Sequence, residues 1–237
     1  MVIFDDRTAQ AWLKQEGFAD GDLRSEITEN EGSFDEKTMC PMACSSQKGE
    51  LGMCKWLHEN GAAADITKAN NRGKTPMHMA CKNGHLEVCK WLWNAGAAAD
   101  VTKANNKGTT PMISACKNGH LKVCKWLWKV GAAADVTKAK NDGFTPMSAA
   151  CLEGHLSVCK WLLHVGAAAD VTKANEDGFT PMSIACYHGN LEVCKWLFQV
   201  GAAADITKAD DDGVTPMYIA CQEGHLSVCK WLFQVGA

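Results

Sequence analysis

No apolar run in this sequence comes near the roughly 20 residues needed to span a bilayer, so no membrane-crossing helix is expected. Charge of one sign is not in excess either. The formal net charge is −3, which supplies no overall attraction to nucleic acid or to an anionic membrane. The N-terminus lacks the basic flank and long apolar core of a secretory signal, because Met1-Val2-Ile3-Phe4 runs straight into Asp5-Asp6. Catalytic signatures are missing as well. There is no Ser-His-Asp trio outside a repeating pattern, no glycine-rich phosphate loop, and no pair of acids placed by one local motif. The expectation is a protein that is not an enzyme and needs no cofactor. Proline is scarce, with six in 237 residues. Those six are ordered: Pro41, Pro76, Pro111, Pro146, Pro181 and Pro216 follow one another at a step of 35.

Repetition at such a period decides the fold before any local reading does. Each copy has one plan. Thr75, and likewise Thr110, Thr145, Thr180 and Thr215, can accept hydrogen bonds from the free amides of a first helical turn. The proline that follows sits where its missing amide costs nothing. Gly84 ends a short first helix, and His85-Leu86 opens a second, with Leu86, Cys89 and Leu92 on one stripe. Gly96 ends that helix. Helices this short are marginal alone, since isolated ones below roughly 12–15 residues rarely persist in water. They are expected to survive by packing on each other and on the next pair. The pairs are placed near residues 41–60, 76–95, 111–130, 146–165, 181–200 and 216–235, within an array over 35–237. Residues 1–34 form an N-terminal helix and an acidic linker. That helix, over residues 6–17 and capped by Asp6, reads either as a degenerate second helix serving as a cap or as a coincidental short helix. One helical turn is expected near 23–27. Between pairs, the Asn105-Asn106-Lys107-Gly108 centre is turn chemistry, and extended segments beside it predict a projecting hairpin or finger.

The recurring residues Thr-Pro-Met-x-x-Ala-Cys, then Gly-His-Leu-x-Val-Cys-Lys-Trp-Leu, resemble the ankyrin repeat from Pro41 to Ala237. The resemblance implies an all-α solenoid of stacked helix-turn-helix repeats with projecting β-hairpin fingers, used to bind other proteins through a concave face of finger tips and first helices. The sequence departs from the family in several ways. Its step is 35 where the family's is about 33, with two extra residues in Gly-Ala-Ala-Ala-Asp. Methionine replaces a leucine in the first helix and tryptophan one in the second. The histidine of the family's Thr-Pro-Leu-His survives only as His78; Ile113, Ser148, Ser183 and Tyr218 stand in its place.

Thirteen cysteines could suggest a disulfide scaffold or a zinc array. Their positions favour small buried hydrophobes. One set, from Cys81 to Cys221, and another, from Cys54 to Cys229, fall where the family has alanine and valine. Ser46 replaces the first set's cysteine in the first copy, and Asn190 replaces the turn histidine in the fifth. A reducing, intracellular and cytoplasmic setting is expected, with no metal. The tryptophans from Trp56 to Trp231 read as packing. The lysines from Lys55 to Lys230 and from Lys68 to Lys208 read as a solvated face, balanced by Asp65, Asp100, Asp135, Asp170 and Asp205. Neither nucleic acid nor membrane is expected as a partner.

What varies while the frame stays fixed carries the functional reading. The tips change from Arg72-Gly73-Lys74 and Lys107 to Phe144, Phe179 and finally Asp211-Asp212. On the first helices, Lys82 and Lys117 give way to Leu152, Tyr187 and Gln222, and His188 and Tyr218 are further candidates. With His78 these are the candidate contacts for a partner protein, in a groove basic near its beginning and acidic with aromatic anchors later. Neutral drift at exposed positions is the competing reading. The last second helix is as apolar as the internal ones, which suggests a fragment of a longer array or of a multidomain adaptor. A Cys/His metal-binding array is the remaining alternative.

Overall fold

The computed structural model describes residues 5–18 and 39–237. The turn expected near 23–27 lies outside them. Helices account for all regular structure among the described residues; no β-strand is found. The chain divides into two compact units, with the boundary between Pro111 and Met112.

The first unit opens with α1 (Asp6–Gln15). Its cap is Asp5 rather than Asp6: the Asp5 carboxylate accepts from the Thr8 amide at 2.8 Å. Asp6 is used differently, accepting from Trp56 Nε1 at 2.9 Å. Ala9, Trp12 and Leu13 of α1 are buried, and Glu16 just beyond it pairs with Lys48. Two helix pairs follow, α2 (Pro41–Lys48) with α3 (Leu51–Leu57), and α4 (Pro76–Lys82) with α5 (Leu86–Leu92). The first helices α2 and α4 lie against each other. The second unit holds α6 (Pro111–Lys117), whose first residue belongs to the first unit, with α7 (Leu121–Lys129). It continues with α8 (Pro146–Leu152) and α9 (Leu156–His164), α10 (Pro181–Tyr187) and α11 (Leu191–Gln199), and α12 (Pro216–Gln222) and α13 (Leu226–Val235). Here α8 packs on α10 and α10 on α12. This is an all-α repeat of the solenoid kind, in which neighbouring pairs within each unit pack on one another.

The local chemistry follows the sequence. Thr145, Thr180 and Thr215 accept from the amides of Ser148, Ser183 and Tyr218 at 3.2–3.3 Å. Met42 and Met77 in the first unit, and Met112, Met147 and Met182 in the second, are wholly enclosed. The two extra residues of the long period do not extend a strand. They wind into a single 3₁₀ turn, as at Ala98–Val101 and Ala133–Val136. The expected hairpin is replaced by a tight turn: Asn70 N–H bonds Lys74 C=O at 2.9 Å and Gly73 N–H bonds Asn70 C=O at 2.9 Å. The Asn70 side chain completes it by accepting from the amides of Arg72 and Lys74. A side chain that satisfies two turn amides leaves no ladder to extend.

One contact holds successive pairs together. The last carbonyls of a helix have no partner within it. In the first unit His85 Nε2–H donates to Gln47 C=O at 2.9 Å, in the last turn of α2. In the second, His225 Nε2–H donates to Tyr187 C=O at 2.8 Å, at the end of α10. Asn190 does the same work with its amide, donating to the carbonyls of Cys151 and Leu152 at 2.9 Å each. The ring needs room. A Cβ on Gly189 would stand 2.5 Å from His225 Nδ1, whereas one on Gly224, with the same left-handed φ, meets nothing within 4 Å.

Gly189→Ala should therefore lose more stability in urea unfolding than Gly224→Ala. The expected losses are roughly 2–3 against about 1–2 kcal/mol, because both strain φ but only the first displaces the ring and its hydrogen bond. Equal losses would show that the close approach carries no energy.

Candidate functional site

The residues singled out for partner contact fall into two groups, one in each unit. In the first unit, Arg72 and Lys74 are half-buried on the turn closed by Asn70, and Lys107 is exposed on the next turn. Asn105 builds that turn in the same way, accepting from the amides of Lys107 and Thr109. The two turns are hooked together, since Asn106 N–H donates to Arg72 C=O and its side chain to Asn71 C=O, both at 3.0 Å. Lys82 is half-buried at the end of α4.

His78 does not belong on this surface. Only 2% of it is exposed. Its Nε2–H donates to Thr109 C=O at 3.1 Å, so Nδ1 is the acceptor, taking the Thr75 hydroxyl at 3.2 Å and the Thr75 amide at 3.4 Å. The ring completes the cap of its own helix and ties it to the following turn. Where the histidine is absent, serine repairs the cap locally: Ser183 donates to Thr180 C=O at 2.9 Å, and Ser148 lies 3.2 Å from the Thr145 hydroxyl. Burial lowers the His78 pKa to about 4.

In the second unit, Asp142 accepts from the Phe144 amide and pairs with Lys140 at 2.7 Å. The Lys140 ammonium also stands 4.8 Å from the centre of the Phe144 ring. Asn175 and Asp210 build the later turns, accepting from the amides of Phe179 and Val214. Backbone bonds from Glu176 to Asp142 and from Asp211 to Asp177 join these turns in a row. Phe144 and Phe179 are half-buried, while Asp211 and Asp212 are exposed. On the first helices Tyr187 is 43% and Tyr218 61% exposed. His188 follows Tyr187 with its ring centre 4.8 Å away, and burial lowers its pKa. Lys117 is 3.8 Å from Glu153, an exposed pair of little energetic weight.

Other sequence readings need correction or gain detail. The repeating aspartates are not part of a solvated face. Asp65, Asp100, Asp135, Asp170 and Asp205 are all buried, and the Oδ2 of each finds no hydrogen-bond partner. The lysine three residues on reaches the carboxylate of Asp100 at 3.6 Å and of Asp135 at 3.9 Å. Burial raises the pKa of Asp100, Asp135, Asp170 and Asp205, against the pull of those lysines. All thirteen cysteines carry free thiols. His85 turns its Nε2 to a backbone carbonyl rather than to the sulfurs of Cys81 and Cys89. Cys54 meets the hydroxyl of Ser45 at 3.2 Å in place of a second thiol. The tryptophans pack between neighbours, Trp91 edge-on to His58 and Trp231 edge-on to Phe198, each at 5.8 Å. Sequence reasoning passed over Trp93, just past the end of α5, and Trp128, on α7, which are 37% and 39% exposed. Their signal was present: position 93 recurs as Trp128, Leu163, Phe198 and Phe233, large and apolar in every copy after the first, which has His58.

Helix pairs joined by tight turns and held by Thr-Pro caps and a Gly-His turn are what the family profile described as ankyrin repeats (3 copies) encodes. That profile matches residues 23–105, 41–140, 93–175 and 166–237. The chain belongs to the ankyrin repeat family. No curated protein matches the sequence. Ankyrin repeats generally mediate protein–protein interaction and are typically non-catalytic modules. Among the described residues, no helix is long and apolar enough to cross a membrane.

Two pH effects follow. His78 is favoured neutral in the fold, so the stability it contributes is complete above its ordinary value near 6.5 and is lost as pH falls toward about 4. The loss should total about 3 kcal/mol, and His78→Ser, which copies Ser148 and Ser183, should flatten it in chemical unfolding followed across pH. Asp135 has the opposite sign. Its raised folded pKa means the carboxyl holds its proton more tightly when folded, so its contribution falls as pH rises through that raised value. Asp135→Asn should be more stable than the parent at neutral pH, with the difference vanishing below the usual aspartate range. A variant less stable at neutral pH would show that the Lys138 contact outweighs burial.

Proposed function

We propose that this ankyrin repeat chain is a non-catalytic scaffold that binds a partner protein through its turn tips and first helices, the concave face of the family. The observation that carries this reading is the exposure of Tyr187 at a first-helix position that changes from repeat to repeat. The sequence has only one other tyrosine, Tyr218, and buried aromatics are what dominate a formed interface. Phe144 and Phe179 add half-buried apolar surface in the same unit, and His188, Asp211 and Asp212 add polar and acidic groups. That unit suits a partner segment with apolar side chains and basic flanks. The first unit, with Arg72, Lys74, Lys82 and Lys107, suits an acidic one; Lys117 adds a cation in the second. We place the array over 35–237, with α1 and the following linker as an N-terminal addition, α1 serving as a cap. The paired Lys90–Glu87 and Lys195–Glu192, at 2.8 and 3.0 Å, favour a solvated face over phosphate binding. Thirteen free thiols favour a reducing, cytoplasmic setting.

The test is recovery of partner from the native cell extract on immobilised parent and on Tyr187→Ala/Tyr218→Ala. Both side chains are exposed, so the variant should keep its unfolding midpoint, and a hot-spot loss of about 2 kcal/mol per residue should reduce retention by at least tenfold. Undiminished retention would remove these helices from the interface.

A further inference from the structure

The turn tips of the second unit repeat one arrangement with one exchange. In the tip before α8, the Lys140 ammonium pairs with Asp142 Oδ2 at 2.7 Å and stands 4.8 Å from the centre of the Phe144 ring. A carboxylate and an aromatic ring there hold one cation jointly, and the chain supplies that cation itself. One repeat later, in the tip before α10, Asp177 and Phe179 recur at the same two positions, and Asn175 stands where Lys140 was.

The two tips share a backbone. Lys140 N–H bonds Phe144 C=O at 3.0 Å and Gly143 N–H bonds Lys140 C=O at 3.1 Å; Asn175 N–H bonds Phe179 C=O at 3.0 Å and Gly178 N–H bonds Asn175 C=O at 3.2 Å. The carboxylate and the ring are therefore carried on like frames, and only the ammonium differs. Asn175 offers an uncharged amide in its place, which donates to Asp177 Oδ2 at 3.3 Å. Asp177 and Glu176 are exposed and Phe179 is half-buried. Among the described residues neither acid has an ion-pair partner. A further carboxylate adjoins them, since Asp211 Oδ1 lies 2.7 Å from the place of a Cβ on Gly178, the residue before Phe179.

An ammonium is drawn to the face of an aromatic ring by the ring's quadrupole and to a carboxylate by its charge. At Phe179 both attractions are open. We propose that Phe179, Asp177 and Asp211 form a subsite for a lysine side chain of the partner protein, which takes there the place that Lys140 takes in the preceding tip. This rests on the reading of the tips as a partner surface and names one side chain of that partner. The subsite is selective within the unit. The tip before α8 is filled by its own lysine, and the tip before α12 has Val214 in place of the ring and offers charge alone.

The experiment needs no partner. Nα-acetyl-lysine methylamide is titrated into the isotope-labelled full chain, and the amide and ring resonances of the tips are followed. Exposed contacts of this kind are individually weak, so the readout is a saturable shift rather than a recovered complex. Phe179 and Asp177 should respond at least about fivefold more than Phe144 and Val214. The uncharged analogue Nα-acetyl-norleucine methylamide should move none of them. Asn175→Lys, which copies Lys140, should reduce the Phe179 response at least about fivefold, and Lys140→Asn, which copies Asn175, should bring a comparable response to Phe144. Equal shifts with the two probes, a Phe179 response that survives Asn175→Lys, or no gain at Phe144 in Lys140→Asn would each overturn the subsite. Partner retention on the Tyr187→Ala/Tyr218→Ala variant is a separate readout, so partner lost by that variant together with no lysine response removes the subsite and leaves the partner surface in place.

Discussion

Helices of seven to ten residues cannot bury enough surface to stand alone, and everything else in this chain answers to that constraint. The hydrogen bond from the turn histidine, or from Asn190, to the preceding helix's free carbonyls meets it most directly. It satisfies groups that a short helix leaves open and at the same time sets the distance between neighbouring pairs. The glycine of each Gly-His turn allows the left-handed turn, and where the next repeat's ring lies over it, as at Gly189 under His225, a Cβ would also occupy the ring's place. The methionines and cysteines then fill the space so defined. Trp56, Trp91, Trp196 and Trp231 close its outer edge, helped by Asp6, His58 and Phe198.

Much of this was legible in the residues. The step of 35, the Thr-Pro starts and the glycine stops located the helix pairs, because caps and breakers act within a turn or two of chain. The parts that depend on contacts between repeats were not legible. His85 and Asn190 look unlike each other as letters, yet each donates to a carbonyl 38 or 39 positions back. His78 looked like a surface histidine because nothing local says that Thr109 comes to meet it. The aspartate three residues before each connector lysine looked like half of a surface ion pair. The 3₁₀ turn draws the carboxylate inward while the lysine stays out, a geometry that spacing alone does not reveal. The same turn explains why the longer connector adds no strand.

The candidate surface was legible in a different way. Positions that vary within an otherwise fixed repeat are free of the frame's demands, so they are where a partner can be chosen. Structure divides them further. Asp211, Asp212, Tyr187 and Tyr218 reach solvent, Phe144 is partly covered by Lys140, and His78 is taken by the frame. Trp93 in the first unit and Trp128 in the second are each exposed large apolar residues that do not follow from the turn chemistry.

The tips and first helices on one hand, and these tryptophans on the other, make opposite claims about where a partner lands. Hydrogen–deuterium exchange of the chain with and without its bound partner distinguishes them most directly. Protection on binding should concentrate in residues 176–188 and 211–222, the tips and first helices that carry Tyr187 and Tyr218. Protection concentrated instead around Trp93 and Trp128, with those segments unchanged, would contradict the account.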